Sequence, residues 1–381
     1  MLKSYWGLTN SMAIDRRHFL IGSLVALGAA RSALAAEGLA GAAATEAAYA
    51  SAARRPDGTY AVLLIAAGGK ILREIPLSAR GHDVAIEHAS RRAVVFGRRP
   101  GFFALAFDLD GRREPEVFAP PADRHFYGHG FFSQDGRLLY TSEHNVESGE
   151  GVIGIYDTSG GWRRIGEFPS YGVGPHEAIM LADGKTMVVA NGGFGSDPAT
   201  GRESIDLAGM EPNMAFVDLA TGSLKASHGL PPEINMLSVR HLAANAKGEV
   251  WFGGQWQGGL EDSPELIGRA SVDKSISIIE PADPMGVSLK GYIGSVAMSA
   301  DGRYLAASAP RAGRIVYADT ETGRIVHEVK IEDGCGIAES GSSEFVMSSG
   351  HGVVRFEHDG ARAPDMLSFT GTEFDNHLRR V

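Results

Sequence analysis

The chain has one cysteine, Cys335, among 381 residues. An intramolecular disulfide is therefore excluded, and no zinc knuckle or iron–sulfur cluster can be built from cysteine alone. Aromatic residues make up only 8%, and the 50 glycines follow no Gly-X-Y period, which excludes collagen. Positive charge is in deficit. The 36 Lys and Arg against 46 Asp and Glu give −10, which disfavours nucleic acid and anionic membrane surfaces as partners. Long apolar runs are also missing, since the stretch from Phe19 to Ala30 falls well short of the roughly 18 to 20 residues that span a bilayer. What is present, 44% hydrophobic residues and abundant glycine, suits a globular, turn-rich β protein.

The N-terminal segment reads as an address. Asp15-Arg16-Arg17-His18-Phe19-Leu20 precedes the apolar run, and Ala33-Leu34-Ala35-Ala36 supplies an Ala-x-Ala cleavage site. Paired arginines before Phe-Leu resemble the twin-arginine export signal, and Met12 stands just ahead as a possible alternative start. The expected organisation is a signal peptide at 1–36, a linker at 37–45 and one domain at 46–381, with no membrane span after cleavage. Excising a segment of net +3 leaves a mature chain of −13, expected in the periplasm.

A phrase recurs along the rest of the chain: apolar strand, Asp-Gly turn, apolar strand, gap, strand ending in an acid, then Gly and a final strand. Residues 295 to 330 show it best, with the turn Asp301-Gly302, the acid Asp319 and Gly323 opening the last strand. Further turns fall at Asp135-Gly136, Asp183-Gly184 and Lys247-Gly248, and further third-strand acids at Asp108, Asp157 and Asp218. First strands then begin near residues 82, 129, 176, 241, 295 and 336, a spacing that belongs to β-propellers. Strands near Tyr49 to Ser51, Tyr60 to Ala66 and Ile71 to Leu77, joined by the tail 376 to 381, supply one more blade. The predicted fold is all-β: a seven-bladed propeller of four-stranded antiparallel blades, closed where the C-terminal strand joins the N-terminal strands.

Aligned on the turns, the residues opening the first strands are His82, His129, His176, His241, Ser295, Gly336 beside Cys335, and His377. The first strand of a propeller blade lines the central channel, so the five histidines are expected to converge. Converging imidazoles bind a transition metal such as copper, iron or zinc, or become partly protonated and bind an anion, or form a structural polar plug. Proton competition for a metal would centre near pH 6.5, the unperturbed imidazole value. The loops between second and third strands share the rim of the histidines. They carry Glu143, His144 and Asn145; Arg202 and Asp206; and Gln255, Trp256 and Gln257. Glu143, Glu177, Arg240 and Cys335 complete the candidate binding set.

Other motifs are declined. Gly149-Glu150-Gly151-Val152-Ile153-Gly154 fits GxGxxG but leads into a strand, and His176-Glu177-Ala178-Ile179-Met180 lacks the second histidine of HExxH. By contrast, Arg124-His125-Phe126-Tyr127-Gly128-His129-Gly130, Gly174-Pro175-His176-Glu177, Val189-Ala190-Asn191-Gly192-Gly193, Arg240-His241-Leu242, Ser308-Ala309-Pro310-Arg311, Cys335-Gly336 and Asp375-Asn376-His377-Leu378 together resemble one family. It is a bacterial exported family known only as a domain of unknown function, with a propeller of the quinoprotein amine dehydrogenase or YVTN type. Val239 and the histidine of Glu143-His144-Asn145 depart from its pattern. The resemblance implies a genomic setting beside imelysin-type iron-transport components and di-haem oxidoreductase-like proteins, hence metal handling. The function expected is a propeller binding a metal ion or small metal complex at its hub, an accessory in iron or copper acquisition. A metal-dependent propeller oxidoreductase or hydrolase, assisted by Glu143, Glu177 or Arg240, and a partner-binding scaffold are the alternatives.

Overall fold

In the computed structural model the described residues are 46–196, 204–205, 207–279, 289–341, 343–357 and 364–381. The predicted signal peptide and linker, with Arg202 and Asp206, lie outside them. Seven four-stranded antiparallel sheets follow one another around a ring. Blade 2 shows the pattern: Gly81–Glu87 innermost, then Arg92–Gly97, Ala104–Asp108 and Glu116–Phe118 at the outside. The first strands of blades 3 to 7 are Arg124–Phe132, Pro175–Met180, Leu237–Ala244, Ser295–Met298 and Gly334–Glu339, and each packs against its neighbours around the axis. Among the described residues the only helices are single 3-10 turns such as Pro310–Ala312.

The repeat phrase explains the hairpins. Gly136, Gly184, Gly248 and Gly302 all have positive φ in the first turn of their blades, a conformation glycine adopts without steric cost. The third-strand acids close the next turn: Asp218 Oδ1 accepts from the N–H of Ala220 and Thr221, and Asp319 Oδ1 from those of Glu321 and Thr322. Burial follows radius. The first strand of blade 2 is almost wholly buried, whereas the outermost strand of blade 3, Arg163–Pro169, alternates between exposed and half-buried. The apolar core is a series of inter-blade seams, such as Val62, Leu64 and Ile75 of blade 1 against Val84, Val95 and Leu105 of blade 2.

Ring closure occurs at blade 1, where Ala47–Arg54, Tyr60–Ala66 and Ile71–Leu77 take the three outer places and the tail takes the inner one. The tail strand is not the continuous run expected over 376 to 381. Glu373–Phe374 pairs with Ala53 and Arg54, Arg379–Arg380 pairs with Tyr49 and Ala50, and residues 375 to 378 leave the ladder between them. The interruption has a cause on the next level up, because Asp375, Asn376 and His377 turn into the hub while Leu378 packs with Cys335 in the seam between blades 7 and 1.

Candidate metal centre

The hub histidines are delivered by a shared backbone irregularity. Register shifts interrupt the first-strand pairing between Gly81 and Val84, Phe126 and Gly130, Pro175 and Glu177, and Val239 and His241, so His82, His129 and His176 sit inside the break and His241 at its edge. A bulge of this kind bends the strand and re-aims a side chain, here toward the axis. Ser295 opens blade 6 without a shift, and its side chain adds no nitrogen.

All five histidine side chains are buried and mutually adjacent. Ring centres lie 4.7 Å apart for His82 and His377, 4.8 Å for His82 and His129, 4.7 Å for His129 and His176, 4.8 Å for His176 and His241, and 4.9 Å for His241 and His377. One ligand atom from each of His82, His129 and His176 lies within 4.8 Å of the others, and the same holds for His129, His241 and His377. Three nitrogens about 2.1 Å from a common ion stand about 3.4–3.6 Å apart, so each nitrogen of a trio moves inward by roughly 0.7 Å at most to share one.

Carboxylates hydrogen-bond two of the rings and stand near a third, whose Nδ1 has no hydrogen-bond partner, each reaching across a blade boundary. Asp375 of the tail lies 2.8 Å from His82 Nδ1 in blade 2; Asp83 of blade 2 lies 3.0 Å from His129 Nδ1 in blade 3; Glu177 of blade 4 stands 3.5 Å from His241 Nδ1 in blade 5. Arginines hold the carboxylates in turn. Arg80 and Arg98 reach Asp375 at 2.6 and 2.8 Å, while Arg379 reaches Asp83 at 2.7 Å and Glu177 at 2.8 Å.

The electrostatics settle the protonation states. Burial alone would raise the Asp375 carboxyl, but the His82 contact and the Arg98 and Arg80 charges more than offset it and hold it well below the usual carboxylate range. Asp83 is likewise held low by Arg379 against its burial, and Glu177 is brought down to about 2. Burial pushes His82 down to about 3 despite Asp375, and pushes His176, His241 and His377 down as well. An ionised carboxylate only accepts, so His82 and His129 donate from Nδ1–H and their Nε2 atoms carry lone pairs. His129 Nε2, His176 Nδ1, His241 Nε2 and His377 Nε2 are all buried with no hydrogen-bond partner.

The remaining sequence candidates separate. Glu177 joins the hub as a positioning carboxylate, and Arg240 lines the hub cavity with His176 and His241. Glu143 lies elsewhere, inside blade 3, accepting from Thr141 Oγ1 and Tyr156 Oη at 2.8 Å each and from Arg164 at 3.0 Å. Cys335 packs behind the tail with its Sγ 3.2 Å from the Asp375 carbonyl oxygen, and burial raises its thiol to about 12. Of the loop residues, Gln255 reaches the cavity, whereas Trp256 donates to the Gly259 carbonyl and Asn145 Oδ1 accepts from the N–H of Glu147 in a local turn. Sequence reasoning missed Asp83, Asp375, Arg379, Arg98 and Arg99. For the acids the available signal was a carboxylate within two residues of three of the five hub histidines, in His82-Asp83, His176-Glu177 and Asp375-Asn376-His377.

A family model described as a protein of unknown function, DUF1513, matches residues 75–381. The chain belongs to the DUF1513 family. The matched stretch takes in all five hub histidines. No curated protein matches the chain. Among solved structures, Kuenenia stuttgartiensis hydrazine synthase is similar over 88% of this chain and 99% of its own, at 14% identity and a TM-score of 0.58. That likeness shows a shared propeller fold. A nidogen/laminin complex matches over 74% of this chain and 93% of its own, at 11% identity and a TM-score of 0.47.

Proposed function

We propose that this DUF1513 protein binds a first-row transition-metal ion, copper, iron or zinc, on its five-histidine hub, and serves after export to the periplasm as an accessory in iron or copper acquisition. One observation carries the metal reading: four buried imidazole nitrogens from four different blades lack a hydrogen-bond partner, on rings whose centres lie within 4.9 Å of the next around the hub. Each such orphan costs about 1–3 kcal/mol, a cost that a bound ion removes. The carboxylate bonds to Nδ1 of His82 and His129 support it, because metal-ligating histidines characteristically donate their other N–H to a carboxylate that fixes tautomer and ring angle. Neutral imidazole is also the metal-binding state, and burial favours it here, against the alternative of a protonated anion-binding ring.

The test begins with elemental analysis of protein recovered from the periplasmic fraction. Copper, iron and zinc are then titrated into the apo protein and into His129→Ala, His241→Ala and His327→Ala, with circular dichroism as the folding control. His327 is exposed on the outer strand of blade 6, beside Tyr317. The hub variants should lose at least tenfold in affinity and His327→Ala should match wild type. Equal affinity in all three, or no wild-type site tighter than about micromolar, sinks the metal reading.

A further inference from the structure

The histidines form only the floor of the hub cavity. Arg98, Arg99 and Arg240 line the same space as His82, His176 and His241, in a volume of about 80 Å³. Arg98 and Arg99 follow the second strand of blade 2, and Arg240 sits in the bulge of blade 5, so the guanidiniums come together only in the closed ring. Among the described residues, no carboxylate lines this cavity. The rest of the hub pairs arginines with acids; here three guanidiniums and neutral imidazoles converge, with Asp375 offsetting one of them from behind.

The donors are held in place. Arg98 spends Nη1 on Asp375, and its Nε is buried with no hydrogen-bond partner. The Arg240 guanidinium is fixed by its Nε bond to Ser238 Oγ at 2.8 Å and by stacking 4.9 Å from the centre of the Phe194 ring. Arg99 lies 5.5 Å from the Tyr127 ring centre. Tyr292 Oη accepts from Asn376 Nδ2 at 3.0 Å, which leaves the tyrosine proton to donate into the cavity. An acid-free pocket of planar N–H forks matches the oxygens of an oxyanion. Its volume, equivalent to a few water molecules, fits about four or five heavy atoms and excludes a nucleotide or a haem.

We propose that this cup binds a small oxyanion of carbonate, nitrate or phosphate size, gripped by Arg98, Arg99 and Arg240 with one oxygen directed at the histidine floor. On the metal reading, which this extends, that oxygen is the ion's exogenous ligand; the cup's own grip on the anion does not depend on the metal. The cargo or substrate class is then a metal together with an oxyanion rather than a bare ion.

The experiment has two arms on the full chain. Calorimetry of the apo protein with bicarbonate, nitrate and phosphate at low chloride reads the cup alone, and the visible spectrum of the Co(II)-loaded protein during the same titrations reads the metal. At least one anion should bind at millimolar or better. The double variant Arg99→Gln/Arg240→Gln should weaken it at least tenfold, Tyr292→Phe, which removes one hydroxyl, at least threefold, and Arg324→Gln on the exposed outer strand of blade 6 not at all. Thermal melting checks that the double variant folds; if it does not, Tyr292→Phe decides. No anion binding, or equal affinity in wild type and the cup variants, overturns the proposal. Arginine-dependent anion binding without any Co(II) binding supports the cup and overturns the metal reading instead. Co(II) binding with a spectrum indifferent to the bound anion overturns the assignment of that anion as metal ligand.

Discussion

Asp83 carries an unusual share of the hub: it holds His129 Nδ1 at 3.0 Å and takes both Nε and Nη2 of Arg379 at 2.7 Å. Replacing it with Asn keeps the shape but removes the charge that fixes the His129 tautomer. Metal affinity in Asp83→Asn should fall 10- to 100-fold, the usual loss for such an orienting partner, and competition titration against a chelator measures it. Unchanged affinity would mean that His129 is placed by packing alone. Gly128 is a second sensitive position, because its φ is +101° and an added Cβ would meet His82 Cδ2 at 2.7 Å. Gly128→Ala should therefore displace the His82 ring and lower both melting temperature and metal affinity, whereas a purely conformational cost would lower the melting temperature alone. The histidines were legible in the sequence because one blade position repeats. Asp83 and Asp375 were not, because each serves the histidine of another blade, and no periodicity along one strand encodes a contact across a seam.

At the scale of the element, the bulge and the closing tail make the site. The turns and strand order could be read from Asp-Gly pairs and strand-ending acids, since both act within one hairpin. The bulges could not, because what holds them is the packing of the first strands around the axis. The tail tests this level directly. Deleting 376 to 381 removes Leu378, buried to 1% exposure, the Ser51 Oγ bond to the His377 carbonyl and the ladder at Arg379. Leucine burial is worth roughly 2 kcal/mol and each hydrogen bond about 1 kcal/mol, large against a stability of roughly 5–15 kcal/mol. A lower melting temperature and a tendency to associate through the bared edge of Ala47–Arg54 are expected, with light scattering as the check. His377→Ala should keep the ring closed and lose only metal affinity. An unchanged melting temperature in the truncated chain would refute closure by the tail.

The whole molecule answers to pH through the hub. His82, His176, His241 and His377 all titrate lower in the folded protein than the unfolded value of about 6.5, so the unfolded chain binds more protons as pH drops. Apo stability is fully present above about pH 6.5 and is lost below it, with a slope of up to about 1.4 kcal/mol per pH unit for each histidine. Asp83, Glu177 and Asp375, held below their unfolded values, add losses of the same sign below about pH 4. Denaturant midpoints should be flat from pH 8 to 7 and clearly lower at pH 5; a constant midpoint would contradict the buried neutral ring. Proton competition for the metal, expected near pH 6.5 for a free imidazole, moves lower for the rings that burial holds neutral. Closure of the ring also gives the bound ion a second role. His82 and the tail that supplies Asp375 and His377 are about 293 residues apart, and an unfolded chain pays about 5 kcal/mol to close a loop of that length. An ion shared by His129, His241 and His377 is thus a reversible cross-link between the closing tail and the blades it completes. Chelation should unfasten that seam first, read as faster amide exchange along Ala47–Arg54 while the strands of blades 3 and 4 stay protected.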